Sequence, residues 1–187
     1  MEETDTELML LARTGDEDAF RRIVERHQGT AYSLALRILG RRADAEDAVQ
    51  EAFIRVWRHL HRFDTGRPFQ SWLNRITANV CLDRLKSADR KRTGEMRPGA
   101  EERLVSDDDP ARRLEDRDLV RWMERFIPDL PPKQRMVFVL RDVQDMSVEE
   151  TAEALGMSRR SVISNLCLGR KTLAARFEAL EKVGKKP

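Results

Sequence analysis

Two stretches of helical periodicity, joined by a short break, constrain the fold of this chain more than any other feature. Between residues 44 and 60, apolar side chains recur every three or four positions. The apolar side of this first helix consists of Ala45, Ala48, Val49, Ala52, Phe53, Val56, Trp57 and Leu60. This spacing predicts a helix that is buried on one side against neighbouring helices, with Asp44 as its N-cap.

The opposite side of this helix carries polar side chains around one aliphatic residue, Ile54. Its neighbours on that side are Asp47, Gln50, Glu51 and Arg58. An exposed aliphatic side chain ringed by charge is typical of a small protein-docking surface. A single surface isoleucine is also common in proteins that dock nothing, and the spacing alone favours that interpretation.

A second helix is predicted from Phe69 to Lys86, because Gly66 and Pro68 end the first helix and proline suits a first helical turn. One side of the second helix combines aromatic and aliphatic residues, namely Phe69, Trp72, Leu73, Ile76 and Val80. No strand-like alternation occurs anywhere in the chain, so the fold class predicted is all-α.

Asn79 lies at the edge of that apolar side, between Trp72 and Ile76 on a helical wheel. An amide beside aromatic and aliphatic surface can bind the edge of an unstacked nucleotide base. The basic residues that can bind the accompanying phosphates are Arg75, Arg84 and Lys86. A buried Trp72 and a hydrogen-bonded, purely structural Asn79 would produce the same spacing, and on spacing alone that outcome is the more frequent one.

The chain resembles a known family over these two helices. The run Asp47-Ala-Val-Gln50-Glu51-Ala-Phe53, followed by Phe63, Phe69 and Trp72-Leu73-x-x-Ile76-x-x-Asn79, is similar to the second conserved region of bacterial RNA polymerase sigma factors of the extracytoplasmic-function (ECF) group. The resemblance implies that the first helix binds core RNA polymerase and that the second helps to open the promoter at the minus-10 element.

Carried over to this chain, the resemblance implies two sets of binding residues. The residues that bind core polymerase would be Asp47, Gln50, Glu51, Ile54 and Arg58. The residues that bind minus-10 DNA would be Phe63, Trp72, Arg75, Ile76, Asn79 and Arg84. Within the second set, Phe63, Ile76 and Asn79 would form the pocket for a flipped base.

Two further helices precede this pair and supply its packing partners. One is predicted from Asp5 to Arg13, and Asp16 can cap the next, which runs to Gly40 with Gly29 as a candidate bend. Residues 1–86 are therefore predicted to form a small helical domain. Residues 87–111 are polar, contain glycine and proline, and are predicted to be a flexible linker.

A second helical domain is predicted over residues 112–187. Its elements are an amphipathic helix over residues 114–127, a buried helix from Gln134 to Gln144, a short helix ending at Leu155 and a longer helix towards Leu180. Ser147 and Glu150 form a capping box, Gly156 suits a left-handed C-cap, and Ser158 caps the last helix.

A cap, a short helix, a glycine turn, a cap and a longer helix are typical of a helix-turn-helix, although similar pairs occur in proteins that never bind DNA. The stretch 130–173 also resembles the fourth conserved region of the same sigma group, which binds the minus-35 element. The residues implied are Ser158, Arg159, Arg160, Ser161, Ser164, Asn165, Arg170 and Lys171. The chain departs from the group at Ile163, Asn165 and Leu168, where basic residues are frequent.

Charge and composition limit the remaining possibilities. The net charge is only +2 although 36% of the residues are charged, so a nucleic-acid surface must be a local patch. Cys81 and Cys167 are expected to be buried reduced thiols, and the histidines lack the spacing of metal ligands. No phosphate loop, nucleophile elbow or distinctive carboxylate pair occurs, so we expect no enzyme activity and no cofactor. No membrane-spanning run or signal peptide is evident, which predicts a cytoplasmic protein.

The sequence thus favours a two-domain initiation factor whose partners are core RNA polymerase and promoter DNA, double-stranded at minus-35 and single-stranded at minus-10. The resemblance also implies control by an anti-sigma protein. Two alternatives remain at this stage. One is a stand-alone helix-turn-helix regulator, and the other is a protein-binding adaptor whose second domain has lost its DNA contacts.

Overall fold

A computed structural model describes residues 3–94 and 126–184, and these residues form an all-α fold, as predicted. They belong to two compact units, one within residues 1–94 and the other within residues 95–187. The predicted linker beyond Gly94 and most of the predicted helix 114–127 lie outside the described residues. Among the helices of the described ranges, none has the length and apolar character needed to cross a membrane.

The first unit contains four helices: α1 (Asp5–Arg13), α2 (Glu17–Leu39), α3 (Arg42–Arg58) and α4 (Phe69–Gly94). A single 3-10 turn, Leu60–Arg62, joins α3 to the segment before α4. Asp16 caps α2 by accepting a hydrogen bond from the backbone N–H of Ala19, and Gly40 ends α2 in the left-handed region at φ 76°. These bounds confirm the predicted α1 and α2, and Gly29 does not interrupt α2.

Small side chains bring the helices of the first unit close together. Among the described side chains of α2, α3 and α4, the fully buried alanines are Ala19, Ala31, Ala35, Ala45, Ala48, Ala52 and Ala78. Larger residues such as Ile23, Leu34 and Leu73 fill the space between them. Interhelical distance depends on side-chain size at the contact, so this composition favours a tight packing of α2 against α3 and α4.

His27 of α2 links three helices of this unit. Its Nδ1 lies 2.9 Å from Oε1 of Gln70 on α4, and its Nε2 lies 2.8 Å from Oδ2 of Asp5 on α1. Its ring also contacts Phe69 at 4.9 Å between centroids. These partners give His27 a structural role in holding α1 and α4 against α2.

Three sequence-based expectations about α3 and α4 are wrong. The N-cap of α3 is Arg41, and Asp44 lies in the first turn, since the helix starts earlier than its apolar pattern. Trp57 is not in the core but 38% exposed. The end of α4 is Gly94 rather than Lys86, because residues 87–93 contain no glycine or proline to stop the helix. The domain boundary itself stays a prediction.

The described part of the second unit contains α5 (Pro132–Phe138), α6 (Val148–Leu155) and α7 (Arg159–Gly184). The predicted helix from Gln134 to Gln144 is replaced by α5 and a π-helical turn, Val139–Val143, in which the N–H of Gln144 donates to the carbonyl of Val139. The capping box at Ser147 and the left-handed Gly156 are confirmed. The Ser158 side chain accepts from the N–H of Ser161 and caps α7 as predicted.

We predict that Gly29→Ala stabilises the first unit. Gly29 is an exposed residue inside α2, and a Cβ added there would meet nothing within 4 Å. Alanine restricts the unfolded chain and favours the helix, so the free energy of unfolding should rise by about 1 kcal/mol, measured by urea unfolding. The control Gly15→Ala should lower it, because Gly15 has φ 97°. An unchanged or lower midpoint for Gly29→Ala would contradict the prediction.

Candidate functional site

An open apolar groove of about 750 Å³ lies between α2 and α3 on the surface of the first unit. We call it the α2–α3 groove. Its lining residues are Phe20, Val24, Gln28, Gly29, Tyr32, Glu46, Val49, Gln50, Phe53, Ile54 and Trp57. Ile54 is 38% exposed at its edge, and the rings of Phe20 and Trp57 pack at 4.8 Å between centroids. Ile54 is therefore exposed as predicted. It is part of a larger apolar surface, however, and not a single apolar side chain surrounded by charged ones.

Gln50 shares the groove with Ile54, whereas the acidic residues of the predicted polymerase-binding set lie beside α4. Glu51 is 2.9 Å from the guanidinium of Arg55, which also reaches Asp83 of α4 at 3.3 Å. The hydrogen bond from Arg55 to Glu51 is the main reason that the pKa of Arg55 is raised. Arg58 is exposed.

An ion pair joins the two predicted binding surfaces. Asp47, predicted to contact polymerase, lies 3.7 Å from the guanidinium of Arg84, which is predicted to contact DNA. The Asp47 side chain is 66% exposed and that of Arg84 is 35% exposed. Solvent therefore reaches both groups, and the pair contributes little to stability.

The segment between α3 and α4 is held by an arginine that sequence reasoning missed. Arg13, the last residue of α1, donates from Nε to the carbonyl of Leu60 at 2.8 Å and from its terminal nitrogen to the carbonyl of Phe63. Arg13 stands just before Thr14-Gly15, and this position indicates the end of a helix. It does not reveal that the hydrogen-bond acceptors of Arg13 lie between α3 and α4. Arg13 thus fixes the backbone on which Phe63 is presented.

Phe63 is 3% exposed, and it packs against Trp72 at 5.4 Å and against Phe69 at 5.9 Å between ring centroids. Trp72 is half-buried, so it is neither fully exposed nor fully in the core. The buried ring of Phe63 therefore packs against Trp72, and part of the Trp72 side chain remains exposed at the surface.

Arg75, Ile76 and Asn79 lie along α4 from Trp72, and all three are half-buried. Within the described ranges, the Asn79 amide makes no side-chain hydrogen bond, and neither of its polar atoms is buried without a partner. The donor and acceptor of Asn79 are thus open to solvent next to aliphatic and aromatic surface. This geometry differs from the structural alternative, in which the amide would be satisfied within the protein.

In the second unit, α7 buries one side and exposes the other from its first residue. Its buried side is formed by Val162, Leu166, Gly169 and Leu173. The exposed side includes Arg159, Arg160, Ile163, Ser164, Cys167, Leu168, Arg170 and Lys171. Cys167 is therefore exposed and the expectation of a buried thiol there is wrong, whereas Cys81 is buried; both are free.

Several polar residues predicted to bind minus-35 DNA have partners within the second unit. Arg170 pairs with both carboxylate oxygens of Asp142, at 2.8 and 2.6 Å, and the hydrogen bond to Asp142 raises the pKa of Arg170. Arg159 lies 3.3 Å from Glu149. Asn165 donates to the Ser161 carbonyl at 2.8 Å and to its hydroxyl at 3.3 Å. In the described part of the chain, Arg160 and Lys171 take part in no ion pair.

Comparison with known proteins agrees with this geometry. Residues 23–91 match the family model of sigma-70 region 2, and residues 121–173 match that of sigma-70 region 4. The chain therefore combines two regions of a sigma-70-type transcription initiation factor.

The relatives are more specific. The chain is 35% identical to the ECF RNA polymerase sigma factor SigE of Mycolicibacterium smegmatis, over 86% of this chain and 63% of that protein. It is 32% identical to the ECF sigma factor SigW of Bacillus subtilis, over 90% of this chain and 94% of that protein. The chain belongs to the ECF RNA polymerase sigma factors.

A solved structure extends the similarity to three dimensions. It shows CnrH, a sigma factor of Cupriavidus metallidurans, in complex with the cytosolic domain of CnrY. The identity is 30%, the alignment covers 95% of this chain and 99% of CnrH, and the TM-score is 0.63.

We predict that the two cysteines differ sharply in reactivity. Burial raises the pKa of the Cys81 thiol to about 12, so at about pH 8 it stays protonated and unreactive, whereas Cys167 is exposed. A maleimide should modify Cys167 of the native protein rapidly and Cys81 only in urea, as measured by peptide mass spectrometry. Rapid modification of Cys81 in the native protein would contradict the burial of that residue.

Proposed function

We propose that this chain binds core RNA polymerase through the α2–α3 groove and the adjacent exposed side of α3, and directs the polymerase to a set of promoters. It performs no covalent chemistry in this role. Since polymerase and chromosome share the cytoplasm, that is where it acts. The observation that carries the proposal is the partly exposed Ile54, which lines an apolar groove together with Gln50 and Trp57. The direct test is promoter-dependent run-off transcription with purified core polymerase.

The composition of the groove supports a protein partner. Ile54 and Trp57 are each 38% exposed, and the ring of Phe20 lies against Trp57. An aromatic and aliphatic centre with a polar rim is the usual anatomy of a binding hot spot. Gly29, on the α2 side, leaves space that a partner can fill, since a Cβ there would meet nothing.

An anti-sigma protein fits the same surface. CnrH, which is 30% identical to this chain, is bound to the cytosolic domain of CnrY in its solved structure. We propose a corresponding partner here that covers the α2–α3 groove and thereby competes with polymerase. A sigma factor whose α2–α3 groove is covered by such a partner cannot bind core polymerase through that groove.

We predict that Ile54→Asp weakens binding to core polymerase about 30-fold or more, because a carboxylate would replace an apolar anchor that contributes about 2 kcal/mol. Affinity should be measured by fluorescence anisotropy with labelled full-length protein. Leu11→Asp is the matched control, since Leu11 is 37% exposed on α1 outside the groove.

Circular dichroism should show that both variants remain folded. Equal polymerase affinity of the wild type and folded Ile54→Asp would count against docking at the groove, and an equal loss in Leu11→Asp would show that the effect is not specific to it.

For promoter opening, we propose that α4 captures a base flipped out of the minus-10 element. The open amide of Asn79 would bind the base edge, and Ile76 and Trp72 would contact its ring, while Phe63 supports Trp72 from beneath. Arg75 and Arg84 lie on the same helix to bind phosphates. Capture of the base offsets part of the unstacking cost of a few kcal/mol.

We predict that Asn79→Ala slows promoter opening about tenfold while leaving polymerase affinity unchanged, because it removes base-edge hydrogen bonds that contribute about 1 to 2 kcal/mol. Opening should be followed by permanganate reactivity of minus-10 thymines on linear and supercoiled templates. The polymerase affinity of the same variant is the internal control. Wild-type opening rates on both templates would exclude this role of Asn79.

In the second unit, we propose that α7 enters the major groove at minus-35, as the second helix of a helix-turn-helix does. Among the described side chains of α7, Arg160 and Lys171 are exposed cations without an intramolecular ion pair, and they can neutralise phosphates. A stand-alone regulator would bind this DNA without polymerase, so dependence on core polymerase separates the two functions.

A further inference from the structure

The exposed side of α7 is unusually apolar for a DNA-reading helix. Ile163 is 57% exposed and Leu168 is 49% exposed, and Cys167 lies exposed between them. Ile163 has the largest exposed fraction among the exposed large hydrophobic residues of the described chain. Among the described residues of the second unit, none covers this side chain, so it is available to another molecule.

The surrounding charge indicates what kind of molecule that is. Arg160 and Lys171 are exposed on the same side of α7, three residues before and eight residues after Ile163. Arg159 lies at the first turn of the helix as well. An apolar residue flanked by cations at the start of the second helix of a helix-turn-helix fits the major groove of duplex DNA better than an apolar protein surface.

The base-reading chemistry of this helix is restricted by its own contacts. The Asn165 amide, which could otherwise recognise adenine, donates to Ser161 within the helix. Arg170 is occupied by Asp142. Of the features that base pairs present in the major groove, the thymine 5-methyl group is the one that an aliphatic side chain contacts favourably.

Resting on the proposed role of α7 at minus-35, we infer that Ile163 is a specificity-determining residue that contacts the 5-methyl group of a thymine. Recognition at that position then depends on apolar contact, and a cytosine or a thymine without its methyl group is discriminated against. The neighbouring Ser164 is exposed and can bind a base edge or phosphate next to it.

The first experiment is a selection with holoenzyme assembled from full-length protein and bacterial core polymerase. A promoter library with a randomised upstream element is synthesised in two forms, one with thymidine and one with deoxyuridine throughout. A thymine enriched at one or two upstream positions in the first library should lose its enrichment in the second. The variant Ile163→Ala, a substitution at an exposed helical site, should lose the same enrichment in the thymidine library.

The second experiment uses one selected duplex in which upstream thymines are replaced singly by deoxyuridine. Wild-type holoenzyme should bind about threefold to fivefold less tightly when the critical methyl group is absent, as expected for one buried methyl group. Ile163→Ala should not distinguish the two duplexes. Leu10→Ala is the control, because Leu10 is 46% exposed on α1 in the first unit, and it should retain the discrimination.

The outcomes separate this inference from the proposed function. Equal enrichment in both libraries, or discrimination retained by Ile163→Ala, overturns the inference while leaving the minus-35 role of α7 intact. A complete absence of upstream enrichment in both libraries overturns the minus-35 role itself and the inference with it.

Discussion

The close approach of helices through buried alanines is the constraint on which the first unit depends. Seven alanines among the described side chains of α2, α3 and α4 are fully buried, which favours a close approach of these helices. Larger residues such as Ile23 of α2 and Val56 of α3 fill the rest of this core. Phe20, Ile54 and Trp57 are not fully buried in it, and they line the α2–α3 groove. The helices that bound the groove are thus held in place by the packing of the core.

Arginine side chains join separate elements within each unit. Arg13 holds the carbonyls of the segment between α3 and α4, and Arg55 joins α3 to α4 through Glu51 and Asp83. In the second unit, Arg170 binds Asp142 at the π-helical turn. Because the chain has 35 Lys and Arg residues against 33 Asp and Glu residues, carboxylates are numerous enough for such pairing. In the described chain, cations such as Arg160 remain exposed and unpaired, and these are the ones available to a negatively charged partner.

The sequence predicted helices, caps and turn glycines well because these depend on neighbouring residues. Asp16, Ser147, Gly156 and Ser158 all act as expected, since a cap needs only the next three or four residues. The N-cap of α3 and the end of α4 were nevertheless misplaced, and other errors arose where tertiary packing decides. Trp57 has the helical spacing of a core residue, yet it packs against Phe20 of α2 at the groove. The π-helical turn after α5 has no local signal in the sequence.

The exposure of Ile54 was predictable from the sequence, but the surface that it shares with residues of α2 was not. Periodicity placed Ile54 outside the core, and only the structure joins it to residues of α2 more than twenty positions away in sequence. The partnership of Asn165 with Ser161 and of Arg170 with Asp142 was equally invisible, because side-chain pairing depends on rotamers and on packed neighbours. These contacts change which groups remain available for DNA.

The ion pair between Asp47 and Arg84 has a consequence for genetics as well as for structure. Each partner was predicted to serve a different macromolecule, yet neutralising either side chain alters the electrostatic environment of the other at 3.7 Å. A phenotype of Asp47→Ala or of Arg84→Ala alone therefore cannot be attributed to a single surface. Only the double mutant, compared with both single mutants, isolates the energetic coupling between them.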